Sequence, residues 1–343
     1  MEVLHMPQSA FHAFVDALIK ENKQEIVGVK QKENSFAFDT LESAGELCLD
    51  YTETILPPKK YFLPLKEQLL SFKPLDAGSY APIYDEQDRV VIGMHPADCA
   101  AIALLDKTFS EGEPDTPYLK RRPHITVIGI YPVQPYKNRF TSPFVTALAY
   151  KTCDLMLVDL GDKTFAIEVV TDKGKSLIAK AQAKTADAAV QKKMEERKKA
   201  PKEEVTLSMD PNAVSDFLNN KEKDPVFAKR AQRCFSCGSC TLVCPTCYCF
   251  NVSDEIELSL LEGRRVRSWD GCMLQGFAKV AGEHNFRKNP EDRLRHRIFR
   301  KMKYLKERFQ MPGCVGCGRC GQACVAGIAL PIDVINEMNG KGA

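Results

Sequence analysis

The chain of 343 residues is 44% hydrophobic and 27% charged, ordinary for a soluble globular protein, and long enough for about two domains of ~100–200 residues. Its formal net charge of +3 is too small to indicate nucleic acid by itself. No stretch approaches the roughly 18–20 uninterrupted apolar residues of a membrane span, and the alternating start lacks the apolar core of a signal peptide, so a cytoplasmic location without membrane insertion is expected.

Residues 1–172 read as a mixed α/β unit. Runs rich in β-branched residues predict strands at Glu25–Lys30, Arg89–Met94, Ile125–Ile130, Leu155–Leu160 and Thr164–Val170. Between them, Ala97–Phe109 is apolar at most positions, as in a buried helix. Gly161-Asp162-Lys163 separates the last two strands and predicts a hairpin. From Lys173 to Lys202 the composition turns to Ala, Lys, Gln and Glu, which favours helix but offers little apolar face. Residues 173–225 are therefore expected as an exposed helical linker, broken at Pro201 and followed by a short helix near Pro211–Asn220.

The chemistry-bearing residues concentrate in 226–343. Eleven of the 14 cysteines lie between Cys234 and Cys324, unlike the even spread of a small disulfide-stapled fold. Cys234, Cys237, Cys240 and Cys244 read C-x2-C-x2-C-x3-C, with Pro245 next. Cys314, Cys317, Cys320 and Cys324 repeat the spacing, with Val325 in place of the proline. Three thiolates at such intervals can wrap a 4Fe–4S cube with one loop, while the fourth points to the neighbouring cube. The expected ligand sets are Cys234, Cys237, Cys240 and Cys324 for one cube, and Cys314, Cys317, Cys320 and Cys244 for the other. Zinc is the rival, but a third cysteine at the same spacing exceeds what two C-x-x-C knuckles supply. Gly238, Gly316, Gly318 and Gly321 are expected to let backbone approach the sulfides.

Between the motifs lies a long insertion, residues 250–310, with extended segments expected at Asp254–Leu261 and Arg264–Trp269 and a basic helix over Pro290–Arg308. From Arg287 to Arg308 there are ten Lys or Arg against three acids. The bland reading is a solvated helix face, and the functional one a docking surface for an acidic redox partner. Cys247, Cys249 and Cys272 have two readings as well: a third metal site, or buried thiols packed under the clusters. Cys48, Cys99 and Cys153 are isolated and read as core. His95 and Asp98 could pair as acid and base, against a plain structural role. No G-x-G-x-x-G or G-x-x-x-x-G-K-[ST] loop occurs, so flavin or nicotinamide binding by this chain alone is unsupported.

Several longer strings carry a family resemblance. They are Leu56-Pro-Pro-Lys-Lys60 with Phe62, Pro64 and Glu67, then Ile92-Gly-Met-His-Pro-Ala-Asp98, Val127-Ile-Gly-Ile130 and Asp154-Leu-Met-Leu157. Cys244-Pro-Thr-Cys-Tyr-Cys-Phe250, Arg267-Ser-Trp-Asp-Gly-Cys272 and Gly313-Cys-Val-Gly-Cys-Gly-Arg-Cys320 follow. On these the chain resembles the beta subunits of cytosolic sulfhydrogenases (sulfur reductase beta subunits) and the related iron–sulfur subunit of anaerobic sulfite reductase. The resemblance implies an electron relay between a terminal hydrogenase or reductase and a flavin-containing, NAD(P)H-oxidising subunit. Cys247, Cys249 and Cys272 belong to the same pattern. Relatives also carry cysteines just before the aspartate matching Asp98 and near Tyr131 and Phe140. Here Ala97, Tyr131 and a cysteine-free stretch through Thr141 stand instead. That departure implies an N-terminal domain used for docking and a specialised partner set, such as a heterodisulfide-reductase-like complex.

The expected architecture is thus an N-terminal α/β domain followed by a bacterial-type two-cluster, ferredoxin-like domain with a long insertion. The expected function is single-electron relay in a soluble anaerobic redox complex, with no substrate bound by this chain. The competing reading is a terminal reductase acting on a sulfur compound at a third metal site.

Overall fold

The computed structural model describes residues 1–132, 134, 137–140, 143–199 and 206–341. Thr141 and the helix break expected at Pro201 lie outside them. Its strands are β1 (Glu2–Pro7), β2 (Glu25–Lys32), β3 (Ser35–Thr40), β4 (Lys66–Lys73), β5 (Asp76–Pro82), β6 (Arg89–Met94), β7 (Ile125–Ile130), β8 (Leu155–Asp159), β9 (Thr164–Val169), β10 (Lys184–Thr185), β11 (Phe250–Ile256) and β12 (Gly263–Trp269).

The first sheet runs β10-β1-β9-β8-β7-β6-β2-β3. Its centre, β2 through β8, is parallel, and the flanking pairs are antiparallel. β7 is buried along its whole length and β6 and β8 nearly so, which is why their sequences are continuous apolar runs without alternation. The β8–β9 hairpin turns where expected, with Gly161 and Lys163 both at positive φ. Strand β1 is an addition to the expected set, because Glu2–Pro7 has neither a clean alternation nor a turn signal in front of it.

The helix Pro96–Ser110 follows β6 and is buried almost all round. One side packs on the sheet through Cys99, Ile102 and Leu105. The other presents Ala97, Ala100 and Ala101 to Val315 and Cys317 of the second cysteine motif. Alanines there bring the two halves of the chain into close contact. Cys99 and Cys153 are fully buried core thiols, as expected.

The lysine-rich segment after residue 172 differs from its expectation. It forms two helices, Asp172–Ile178 and Ala188–Lys199, separated by β10, which extends the first sheet. The second helix lies against β8 and β9 through Met194, and Lys198 reaches the buried Glu168 at 2.5 Å. Val190, the Lys193–Asp162 ion pair and a hydrogen bond from Arg197 to the Asp159 carbonyl complete the docking, contacts too poor in apolar residues to stand out in a polar run.

The second sheet, β11-β12-β4-β5, joins strands from both ends of the chain. β12 from the insertion pairs with β4, placing Arg267 opposite Glu67. The buried Arg267 binds both Glu67 and Asp115. The expected extended run Asp254–Leu261 is shorter and earlier, because Glu257 and Leu260 close a turn through the Glu257–Glu262 and Leu260–Glu257 backbone hydrogen bonds. The basic helix is present as Pro290–Phe299, a π-turn over Arg300–Tyr304, and Leu305–Phe309. A second core forms around it from Leu294, Ile298, Phe299, Phe227, Ile332 and Ile335. Among the described residues, no helix is long and apolar enough to cross a membrane.

Candidate metal centres

The two cysteine motifs share one backbone path. In each, the residue before the second cysteine has positive φ (Ser236 at 54°, Gly316 at 68°), as does the residue after it (Gly238 at 76°, Gly318 at 80°). A single helical turn then carries the third cysteine, over Ser239–Leu242 and Arg319–Gln322. Two left-handed residues curl the loop so that the first three thiols face one side, while the turn of helix carries the fourth away. Backbone N–H groups meet sulfur at Ser236 to Cys234 and Ile328 to Cys324, both at 3.4 Å.

Neighbouring protein also needs glycine at these positions. A Cβ on Gly316 would stand 1.9 Å from the Phe140 carbonyl oxygen, and Gly318 and Gly321 crowd Asn138 in the same way. Gly238 sits under Leu274. These positions admit neighbouring protein to the back of each loop, because the N-terminal half wraps over the second motif.

The fourth cysteines are exchanged between the loops. Cys234, Cys237, Cys240 and Cys324 line a cavity of about 300 Å³. Cys314, Cys317, Cys320 and Cys244 line a second, tighter one of about 20 Å³. Among the described residues, no three Cys, His, Asp or Glu side chains converge as the ligands of a single ion do. Each cavity thus gathers three thiols of one motif and the fourth of the other, the crossed donor set of a two-cube domain. The first cavity opens at the surface: Cys237 is exposed, with Phe235 at 75% and Val325 at 94% exposure beside it. The Ser239 hydroxyl, 3.3 Å away, holds the Cys237 thiol below its usual pKa. The second cavity is interior, with Cys317 and Cys320 buried.

The basic helix contributes charge in a way its composition hid. Arg293, Arg297 and Lys301, four residues apart, lie on one face and are buried at 2%, 1% and 4% exposure. Arg293 donates to Ser236 Oγ at 2.6 Å. Arg297 donates to the Ala329 and Cys240 carbonyls at 2.6 and 3.3 Å. Lys301 donates at 2.6 Å to Thr246 Oγ1, which lies 3.3 Å from Cys244 Sγ. From the other half of the chain, Lys59 donates to the Cys247 and Cys244 carbonyls at 2.8 and 3.2 Å and lies 3.6 Å over the Trp269 ring. Part of this helix's charge therefore faces inward, a third placement beside the solvated-face and docking-surface readings. The four-residue spacing, interleaved with Leu294 and Ile298, was the signal that could have shown it.

These four cations contrast with other buried ones. Arg121, Arg230, Arg267 and Arg319 each meet a carboxylate. Among the described residues, no ion pair involves Lys59, Arg293, Arg297 or Lys301, and the Nε atoms of Arg293 and Arg297 have no partner. Burying an uncompensated charge costs several kcal/mol, roughly. Burial pulls Lys59 down to about 8 against the Cys247 and Cys244 sulfurs. At Lys301 burial acts in the same sense, but Cys244 and Cys247 outweigh it and hold the ammonium above the usual lysine range. A cube bound by four thiolates is an anion, and held here it would supply the counter-charge that these cations lack among the described residues. The residues therefore fit the group.

Cys247, Cys249 and Cys272 gather beside this site. Cys247 and Cys272 are buried, and Cys249 is half-buried. Cys247 shares a hydrogen bond with Cys244, which depresses the Cys244 thiol and raises that of Cys247. The three occupy one neighbourhood without meeting at one point.

His95 and Asp98 do not form an acid–base pair. His95 stacks on Tyr51 at 4.1 Å. The Asp98 carboxylate accepts two hydrogen bonds from Arg319, at 2.6 and 2.7 Å, and the same guanidinium donates to Thr54. Arg319 lies inside the second motif, so Asp98 anchors that loop to the N-terminal half.

Comparison with known proteins agrees with the geometry. Residues 233–328 match the model of the 4Fe-4S dicluster domain. The chain is 33% identical over 322 residues to sulfhydrogenase 2 subunit beta of Pyrococcus furiosus, covering 91% of this chain and 92% of that one. No solved structure matches.

Proposed function

Because the chain belongs to the family of sulfhydrogenase beta subunits, we propose that it is the iron–sulfur electron-transfer subunit of an oxidoreductase complex. One of its partners is a flavin-containing, NAD(P)H-oxidising subunit. The other is a terminal hydrogenase, sulfur or sulfite reductase, or heterodisulfide-reductase-like subunit, and single electrons pass between the two through this chain. The observation that carries this is the exchange of Cys244 and Cys324 between the two loops. Two cubes held by crossed fourth ligands stand at short range from each other, as a relay requires. A 4Fe–4S cube takes up and releases one electron at a time.

In this reading Cys234, Cys237, Cys240 and Cys324 hold the outer cube, and Cys314, Cys317, Cys320 and Cys244 the inner one. Exposed Cys237 with the apolar rim of Phe235 and Val325 forms the surface where an electron crosses to a partner. Residues 226–343 hold the clusters. Residues 1–172 contribute Lys59 and Asp98 to their surroundings, beyond a docking role. The hairpin turns of β4–β5 and β11–β12 lie at one end of the second sheet, and Leu75, Leu258, Leu260 and Leu261 stand exposed there. Such an apolar tip suits burial against another protein of the complex. The terminal-reductase alternative has less support, since Cys247 and Cys272 are buried and Cys249 is half-buried.

The test is iron and acid-labile sulfide analysis of the anaerobically reconstituted full chain, with EPR after dithionite reduction. About eight irons and two interacting cubes are expected. Zinc in place of iron overturns the reading, and about twelve irons would require a third cube at Cys247, Cys249 and Cys272.

A further inference from the structure

The buried cations are not shared evenly between the two cavities. Arg297 lies between them, bonded to the carbonyl of Cys240 and close to Cys320. Arg293 is on the outer side through Ser236. Lys59 and Lys301 belong to the inner side alone, reaching the Cys244 and Cys247 carbonyls and, through Thr246, the Cys244 sulfur. Thr246 is fixed in turn by its bond to the Gly313 carbonyl at 2.7 Å, directly before Cys314. Two fixed positive charges therefore face only the interior site.

Reduction adds one negative charge to a cube, so nearby positive charge stabilises the reduced form and raises the potential. The effect is strongest where water is excluded and weak where solvent and salt screen it. Burial alone acts the other way, since a low-dielectric site disfavours added charge. Without compensation, the inner cube would be the harder one to reduce, and an electron arriving at Cys237 would stay at the surface.

We propose that Lys59 and Lys301, with Arg297, raise the reduction potential of the inner cube above that of the outer one, so that the first electron resides inside. This rests on the two-cube assignment above. The Lys59 contribution also makes the N-terminal half part of the redox site: it sets the potential of a cluster whose cysteines all come from the other end of the chain. Thr246 and Trp269 act as positioning residues, holding the Lys301 and Lys59 ammonium groups in place.

An anaerobic redox titration of the reconstituted full chain, followed by EPR with and without a soluble paramagnetic gadolinium chelate, tests this. The chelate broadens the signal of the cube near the surface and spares the shielded one. In the wild type the first signal to appear on reduction should be the spared one. Lys301→Met and Lys59→Met, with iron content intact, should each move the electron toward the outer cube by tenfold or more, which is 59 mV for one electron. Lys301→Arg, which keeps the charge, should restore the wild-type partition. The proposal is overturned if the broadened signal appears first in the wild type. It is equally overturned if both methionine variants keep two cubes with unmoved midpoints. An iron count other than two cubes in the wild type would instead remove the assignment on which it rests.

Discussion

The two cysteine loops have the same spacing and the same backbone, yet their surroundings differ in nearly every respect. The first ends in solvent: Cys237 is exposed, Phe235 and Val325 project outward, and Ser236 occupies a left-handed position with no neighbour that forbids a side chain. The second is enclosed by the N-terminal half, with Phe140 against Gly316, Asp98 on Arg319 and Lys59 at the Cys244 carbonyl. Under the proposed assignment, identical thiols in unlike settings give one site open to a partner and one enclosed among buried cations. Cysteine spacing selects a cluster type, whereas exposure and nearby charge tune what a cluster does.

The largest expected effect separates the two loops directly. Cys244→Ser should remove the inner cube and Cys324→Ser the outer, each taking iron from about eight to about four per chain. Under the crossed assignment, Cys244→Ser leaves the cube that a soluble paramagnet broadens. If instead Cys244→Ser loses the surface cube, the exchange of fourth ligands is wrong.

Next in size is the anchor that only the second loop has. Asp98→Ala leaves Arg319 buried without its carboxylate and should destabilise the protein by about 3–5 kcal/mol, read as a shift of the denaturation midpoint. Backbone contact gives a smaller contrast. Gly316→Ala forces a Cβ against the Phe140 carbonyl at positive φ and should cost about 2–3 kcal/mol. Ser236→Gly, at the matching place in the open loop, relieves the positive φ but removes the hydroxyl that accepts from buried Arg293, so a net change within about 1 kcal/mol is expected. Equal effects at the two positions would mean that the N-terminal half does not close over the second loop.

The smallest effect concerns the helix that serves both loops. Burial, followed by Arg287, Arg300 and Arg295, lowers the His296 pKa to about 4. The unfolded chain therefore takes up this proton near 6.5 and the folded one does not, so stability is full above about pH 6.5 and falls as pH drops toward 4. After discounting for its partial exposure, the loss should be about 1 kcal/mol. A His296→Gln variant should flatten that part of the stability–pH curve.

Much of the first sheet was legible because buried parallel strands are continuous apolar runs. Arg89–Met94 and Ile125–Ile130 stand out for that reason. Strands β4 and β11 were less legible, since exposure on one or both faces removes the pattern, and their partners lie far away in sequence. The basic helix was legible as a helix but not as an inward-facing one. Composition counts charge without direction, and direction follows from the four-residue spacing of Arg293, Arg297 and Lys301 combined with what packs opposite them.

The two cysteine loops and the 4Fe-4S dicluster character of the C-terminal part were readable from residue spacing alone. The path of the first three thiols is local, set within each motif by two residues at positive φ and one turn of helix, whereas the fourth comes from the other motif. Which loop faces solvent and which cations lie buried beside it follow from the folded chain. Lys59 stands 185 residues from Cys244 along the chain. Electrostatic and packing contacts act through space, so no spacing rule along the chain can reveal them.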